Sequence, residues 1–148
     1  MPLILYVAAL VLGIAGIELP GAAAELSALA QWTLVVALGL QSLWAFLGHV
    51  FNAEPVARSI GWSTSPFQFE VGVANLGIGV AAIAAAWLGR PAAWAVFLMS
   101  ACFLWGAAFG HLRDMVREHN FAINNAGPIF WWDILTPLTL LVALVLTG

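Results

Sequence analysis

The sequence has very little charge and a single cysteine. Only 7% of its 148 residues are charged, against roughly 25% in an ordinary soluble domain. There are four arginines, no lysine and a net charge of -3, so the chain lacks the basic surface that nucleic-acid binding requires. One cysteine excludes an internal disulfide framework and a zinc site built from several cysteines.

What the sequence does contain is apolar. Hydrophobic residues make up 64% of the chain, and the mean hydropathy is +1.02. Too few polar side chains exist to cover a water-soluble globule, and a chain this rich in residues that can be buried is not disordered. We therefore predict a single integral membrane domain over residues 1–148, in contact with the lipid bilayer.

Five apolar segments are candidates for membrane spans. A helix needs about 20 apolar residues to cross the bilayer core. The segments cover residues of about 3–18, 26–51, 65–88, 91–113 and 128–147. They are continuously apolar and do not alternate as barrel strands do, so we predict an all-α protein with five transmembrane helices. Ser65-Pro66 followed by Gln68 predicts a helix start with a capping box.

The first segment allows two interpretations. It ends in small residues at 21–24, as a cleaved signal peptide would, but no Lys or Arg precedes it, which favours a retained helix. With five spans, Arg58, Arg113 and Arg117 share one side with the N-terminus, and Arg90 marks the other. This excess predicts that the N-terminus lies in the cytoplasm. Trp62, Trp131 and Trp132 fit an aromatic belt on that side.

Polar residues collect at the cytoplasmic ends of four spans. A carboxylate within hydrocarbon costs roughly 2.5–3.5 kcal/mol on insertion scales, so these positions need compensation. One interpretation is a polar pocket holding a metal, haem, quinone head group or proton relay; the other is helix capping and pairing with arginines in the head-group layer. The pocket candidates are His49, Glu70, Asn75, His111 and Asp133, with Gln41, Gln68 and Asp114 in support. Metal ligands, if any, would be His49, Glu70, His111 and Asp133.

Small residues mark candidate packing faces. Gln68, Gly72, Asn75 and Gly79 form one stripe along the third span, and Gly106 and Gly110 form a GxxxG pair on the fourth. Such faces suit a membrane protein partner or a homo-oligomer. The Asn-rich loop at 119–127 either covers the pocket or is a simple turn.

Several short motifs resemble those of a known family. Gly48-His49, Ile60-Gly61-Trp62, Ser65-Pro66-Phe67-Gln68 and Glu70 resemble the DoxX-like group of small bacterial membrane proteins, closest to a branch with an IGW…SPFQFEVG segment. The resemblance covers about residues 30–145. It implies a four-helix bundle, with the first span as an addition, in the bacterial inner membrane. It also implies an accessory role in redox systems tied to thiol, sulfur or quinone chemistry, although this chain has no cysteine pair.

Three functions follow as hypotheses. The first is an accessory or assembly subunit of a membrane redox system, consistent with the absence of a catalytic motif. The second is a binding module that holds a metal, haem or quinone head group in the pocket. The third is a proton-coupled small-molecule carrier, which the lack of an internal repeat disfavours. Whether the chain is an enzyme stays open.

Overall fold

The computed structural model describes residues 1–146, and this part of the chain is helical and contains no strand. Residue 147, the last of the predicted fifth span, and residue 148 lie outside it. The helices are α1 (Pro2–Ile14), α2 (Ala28–Phe51), α3 (Ala53–Ile60), α4 (Phe67–Leu88), α5 (Arg90–Arg117) and α6 (Pro128–Leu146).

Four of these helices are long and apolar enough to cross a membrane: α2, α4, α5 and α6. This confirms the all-α, multi-pass membrane class. Helix α1 has 13 residues, so it is about 20 Å long, less than a bilayer core of about 30 Å. The fifth crossing therefore stays a prediction.

The four long helices pack as a bundle, with α4 against α2, α5 against α4 and α6, and α1 against α2 and α6. Close approach between α2 and α4 depends on glycine, because a Cβ on Gly79 would lie 3.0 Å from the carbonyl oxygen of Gly39. Gln68, Gly72 and Asn75 are buried on the same face of α4. The small-residue stripe thus packs inside the bundle.

Helix α2 is π-helical over Thr33–Leu40. At the centre of this segment the carbonyl oxygen of Ala37 accepts a buried hydrogen bond of 2.7 Å from the indole Nε1 of Trp132 in α6. A π-helical turn changes the register of the backbone carbonyls, which makes such a contact between helices available. The bond fixes the Trp132 ring in the bundle interior, and not in the aromatic belt that we predicted for it.

The start of α4 differs from the predicted capping box. The helix begins at Phe67, and no side chain caps it; the backbone N–H of Gln68 donates to the Ser65 carbonyl oxygen at 3.0 Å. The side-chain amide of Gln68 donates instead to the Ala53 carbonyl oxygen at 2.6 Å. Because Ala53 is the first residue of α3, this hydrogen bond joins the start of α3 to the start of α4.

The GxxxG pair on α5 does not pack within this chain. A Cβ added at Gly106 or Gly110 would have no neighbouring atom within 4 Å. Both glycines therefore lie on the outer surface of the bundle, and their role as a contact face for a partner stays a prediction.

The bundle has two structurally distinct ends. We call the end formed by α3, residues 61–66 and residues 118–127 the α3 end, and the end formed by residues 15–27 and the Gly89 turn the Gly89 end. Gly89 has φ 91°, and a Cβ there would collide with the Glu25 carboxylate. Only glycine therefore permits the tight turn between α4 and α5.

Candidate functional site

A cavity of about 560 Å³ lies at the α3 end, among the long helices and the start of α1. Its walls are mostly apolar and include Trp44, Trp62, Phe103 and Trp132. The polar residues that line it are Gln41, His49, Ser59, Asn75, His111, Asn124 and Asp133. An apolar cavity with a few polar groups is the usual form of a small-molecule site.

His111 of α5 and Asp133 of α6 face each other at this cavity. The distance between His111 Nε2 and Asp133 Oδ2 is 3.6 Å, and the two residues are only 4% and 2% exposed. This distance is too long for a hydrogen bond. The two atoms are therefore close neighbours without a direct bond.

The other ring nitrogen of His111 is held by Asn125. His111 Nδ1 lies 2.7 Å from Asn125 Oδ1, while Asn125 Nδ2 donates to the carbonyl oxygens of Asn120 at 2.7 Å and of His111 at 3.4 Å. Because the amide nitrogen already donates to carbonyls, the oxygen faces Nδ1, and Nδ1 must carry a proton. The loop thus fixes the tautomer of His111 and presents Nε2 to Asp133.

Trp62 covers the ring of His111. The two rings are stacked with centroids 5.8 Å apart and an interplanar angle of 15°, and Trp62 Nε1 donates to Asp114 Oδ2 at 2.8 Å. Gly61, the residue before Trp62, has φ 82°, and the side-chain amide of Asn120 leaves no space for a Cβ at this position. The same amide donates a hydrogen bond of 2.8 Å to the Ile60 carbonyl oxygen. The Ile60-Gly61-Trp62 motif therefore places an indole over the histidine.

Several buried polar atoms at the cavity have no hydrogen-bond partner within residues 1–146. They are Asp133 Oδ2, His49 Nδ1 and Gln41 Oε1. Asn75 is partly satisfied, because its amide donates to the Val71 carbonyl oxygen of its own helix at 2.9 Å. Buried polar atoms are nearly always paired, so unpaired atoms around one cavity indicate a bound partner or water.

Comparison with known proteins gives a family and no activity. The model of a family of unknown function, DUF6790, matches residues 1–148. The chain belongs to DUF6790. No curated protein and no solved structure matches it. The cavity is therefore the feature that bears most directly on the function of this DUF6790 protein.

Of the predicted pocket residues, this DUF6790 chain brings His49, Asn75, His111 and Asp133 to the cavity, together with the supporting Gln41. Gln68 and Asp114 do not line it; Gln68 bonds to Ala53, and Asp114 accepts from Trp62.

Glu70 is a correction to the predicted pocket, because it is exposed and lies outside the cavity. Gly72 faces α2, where an added Cβ would lie 3.2 Å from the Cβ of His49. Two residues along an α-helix correspond to a rotation of about 200°, so Glu70 lies on the opposite face of α4.

The geometry also bears on the metal hypothesis. Within residues 1–146 no group of three His, Cys, Asp or Glu side chains is arranged to hold a metal ion. His111 and Asp133 are adjacent, but the proposed ligand set of four is not assembled, because Glu70 lies on the other face of its helix.

Sequence reasoning missed Asn125 and the pairing of Trp62 with His111. Asn125 is fully buried although it lies in a polar loop. The run Asn124-Asn125 and the Ile60-Gly61-Trp62 motif were the available signals. Neither motif predicts a contact between residues about 60 positions apart. The structure shows this contact directly, because the Asn124 amide donates to Ser59 Oγ at 3.0 Å.

Proposed function

We propose that this protein is a membrane binding module that holds a lipophilic organic ligand by its polar head group. The observation that carries the proposal is the set of unpaired buried atoms, Asp133 Oδ2, His49 Nδ1 and Gln41 Oε1, around a mostly apolar cavity. A ligand that supplies the missing hydrogen bonds would relieve the cost of leaving these groups unpaired.

An organic head group of the quinone type fits best, and in its reduced form such a head group carries hydroxyls that can both donate and accept. The volume of about 560 Å³ falls within the usual range for small-molecule sites. A metal ion is less suited, since the described residues offer no cluster of three ligands.

The accessory-subunit hypothesis is compatible with this proposal. The resemblance to DoxX-like proteins supports a role beside a redox system, and the outward glycines Gly106 and Gly110 offer a surface for a partner or a second copy. The same resemblance supports a location in the bacterial inner membrane, and the arginine distribution supports an orientation with the α3 end and the N-terminus in the cytoplasm. Helix α1 would then be the fifth, partial span.

The proposal is tested by what stays bound during purification. The full chain is purified in native lipid discs, its small molecules are extracted, and they are identified by mass spectrometry. In parallel, Ala107→Phe fills the cavity from α5, and Ala95→Phe adds the same bulk on the exposed face of that helix.

We expect a lipophilic molecule in stoichiometric amount with the wild type and with Ala95→Phe, and its loss with Ala107→Phe. Identical extracts from all three proteins would contradict the proposal, because the retained molecules would then be bulk lipid.

A further inference from the structure

The side chains that line the cavity include one acidic residue and no arginine or lysine. That acidic residue is Asp133, which is 2% exposed. An anionic head group bound beside Asp133 would meet a buried carboxylate, which is unfavourable in a medium of low dielectric, and the α-amino group at the cavity belongs to Met1, which is 55% exposed. The lining therefore disfavours phosphates, sulfates and carboxylates.

Burial also disfavours a charged ligand beside Asp133 and His111. Asn125 holds His111 Nδ1, so His111 Nε2 and Asp133 Oδ2 are the two polar atoms that the pair presents to a ligand. Both residues are almost fully buried, so a cation bound next to them would have to leave water, at a cost in free energy. A neutral ligand adds no buried charge.

The spacing of the pair suits one small group that both donates and accepts. With 3.6 Å between His111 Nε2 and Asp133 Oδ2, a single oxygen can lie within hydrogen-bond distance of both atoms. A hydroxyl donates one hydrogen bond and accepts others, so it can accept from one atom and donate to the other. A carbonyl or an ether can only accept, and would leave one atom unpaired.

Aromatic side chains line the cavity, and one of them is fixed by a buried hydrogen bond. Trp132 precedes Asp133 in the chain, and its ring is fixed by the bond to the Ala37 carbonyl oxygen; Trp44 and Phe103 also line the cavity. Flat apolar rings stack well against such walls.

Building on the proposed function, we infer that the cavity selects a neutral aromatic alcohol, whose hydroxyl bridges His111 Nε2 and Asp133 Oδ2. Asn125 acts as a positioning residue, because it holds the histidine in the tautomer that this bridge requires.

The test uses four probes with one ring system and different head groups. The full chain in lipid nanodiscs is titrated calorimetrically with 2-naphthol, its methyl ether, 2-naphthoate and 2-naphthylmethylammonium, and the heat with empty nanodiscs is subtracted. We expect naphthol to bind at least about tenfold more tightly than the ether, because the ether lacks the hydroxyl donor. We also expect naphthol to bind more tightly than both ions.

Three variants test which residues cause the preference for naphthol over its ether. His111→Phe keeps a ring beneath Trp62 but removes Nε2, and Asp133→Asn keeps the shape of the carboxylate; both should bring the ratio of naphthol to ether affinity close to one. Glu118→Gln, on the exposed end of α5, should keep the wild-type ratio.

Equal binding of naphthol and ether, or tighter binding of either ion, would overturn this inference while leaving the proposed binding function intact. Absence of saturable binding for all four probes would overturn both.

Discussion

At the Gly89 end the buried amide of Gln31 is satisfied by backbone groups. At the α3 end the side chains of Gln41, His49 and Asp133 each have one buried atom without a hydrogen-bond partner among the described residues. Gln31 donates to the Leu26 carbonyl oxygen at 2.9 Å and accepts from the Leu19 N–H at 2.8 Å. The bonds from Trp32 Nε1 to Ile17 and from Trp87 Nε1 to Pro20 close the same end.

The core of the bundle also differs between the half toward the Gly89 end and the half toward the α3 end. Toward the Gly89 end the bundle is filled by fully buried leucines, whereas toward the α3 end it surrounds the cavity. These leucines are Leu34, Leu38, Leu140 and Leu144. Within residues 1–146, Thr33 Oγ1 is also unpaired in the half filled by leucines, so the two halves differ in the cavity and in the unpaired amide, imidazole and carboxylate atoms that line it. Such a difference is expected when a binding site departs from the rules that stabilise a fold.

The largest expected effect is loss of packing in the leucine half. Leu140→Ala removes a fully buried side chain, so we expect a loss of about 2–5 kcal/mol in the free energy of unfolding. Leu138→Ala, two residues away on the exposed face of α6, should cost far less. Reversible unfolding of both variants in the same detergent measures the difference, and similar costs would contradict the division into two halves.

A smaller effect is expected from the loop that orients His111. Asn125→Ala leaves His111 Nδ1 and two carbonyl oxygens without their partner, so we expect a loss of about 1–3 kcal/mol. The control Asn124→Ala removes a partly buried bond to Ser59 and should cost less. Nitrogen NMR of the His111 ring adds a specific readout: Nδ1 should be protonated in the wild type, and this preference should weaken only in Asn125→Ala.

The half of the bundle around the cavity should tolerate a substitution of a buried residue that the half filled by leucines would not. Asp133→Asn keeps the side-chain shape and removes a buried carboxylate with an unpaired oxygen, so the free energy of unfolding should change by less than about 1 kcal/mol or rise. Retention of the purified ligand should fall in the same variant. A large loss of stability would instead assign Asp133 a structural role and weaken the comparison.

The sequence predicts four of the five proposed spans well, because length and hydropathy suffice for them. Pro91 and Pro128 lie at the starts of α5 and α6, and the small-residue stripe of α4 faces α2 as its periodicity predicts. The π-helical segment of α2 was not predictable, because its contact with Trp132 joins residues 95 positions apart. Hydropathy carries no signal for such a register change.

For the site, the sequence predicts how far along its helix each residue lies better than it predicts the helix face on which the residue lies. His111 and Asp133 meet because both lie near the α3 end of neighbouring helices, which the positions of the spans already indicate. Glu70 lies near the same end, but its face of α4 is set by how Gly72 packs against α2, and this packing depends on the partner helix. The role of Asn125 depends on a loop that folds back over α5, which no local pattern encodes.

The smallest effects are expected at Glu70 and Glu118, two exposed carboxylates at opposite kinds of helix end. Glu70 lies in the first turn of α4, where the helix dipole favours an anion, and Glu118 follows the last turn of α5, where the dipole disfavours one. Glu70→Gln should therefore lower the free energy of unfolding by no more than about 0.5 kcal/mol, while Glu118→Gln should leave it unchanged or raise it slightly. Because both groups are exposed, the two effects should shrink together as salt is added during the melts. A salt-independent loss above about 1 kcal/mol in Glu70→Gln alone would show that this carboxylate has a buried partner, and would return it to the cavity from which the structure excludes it.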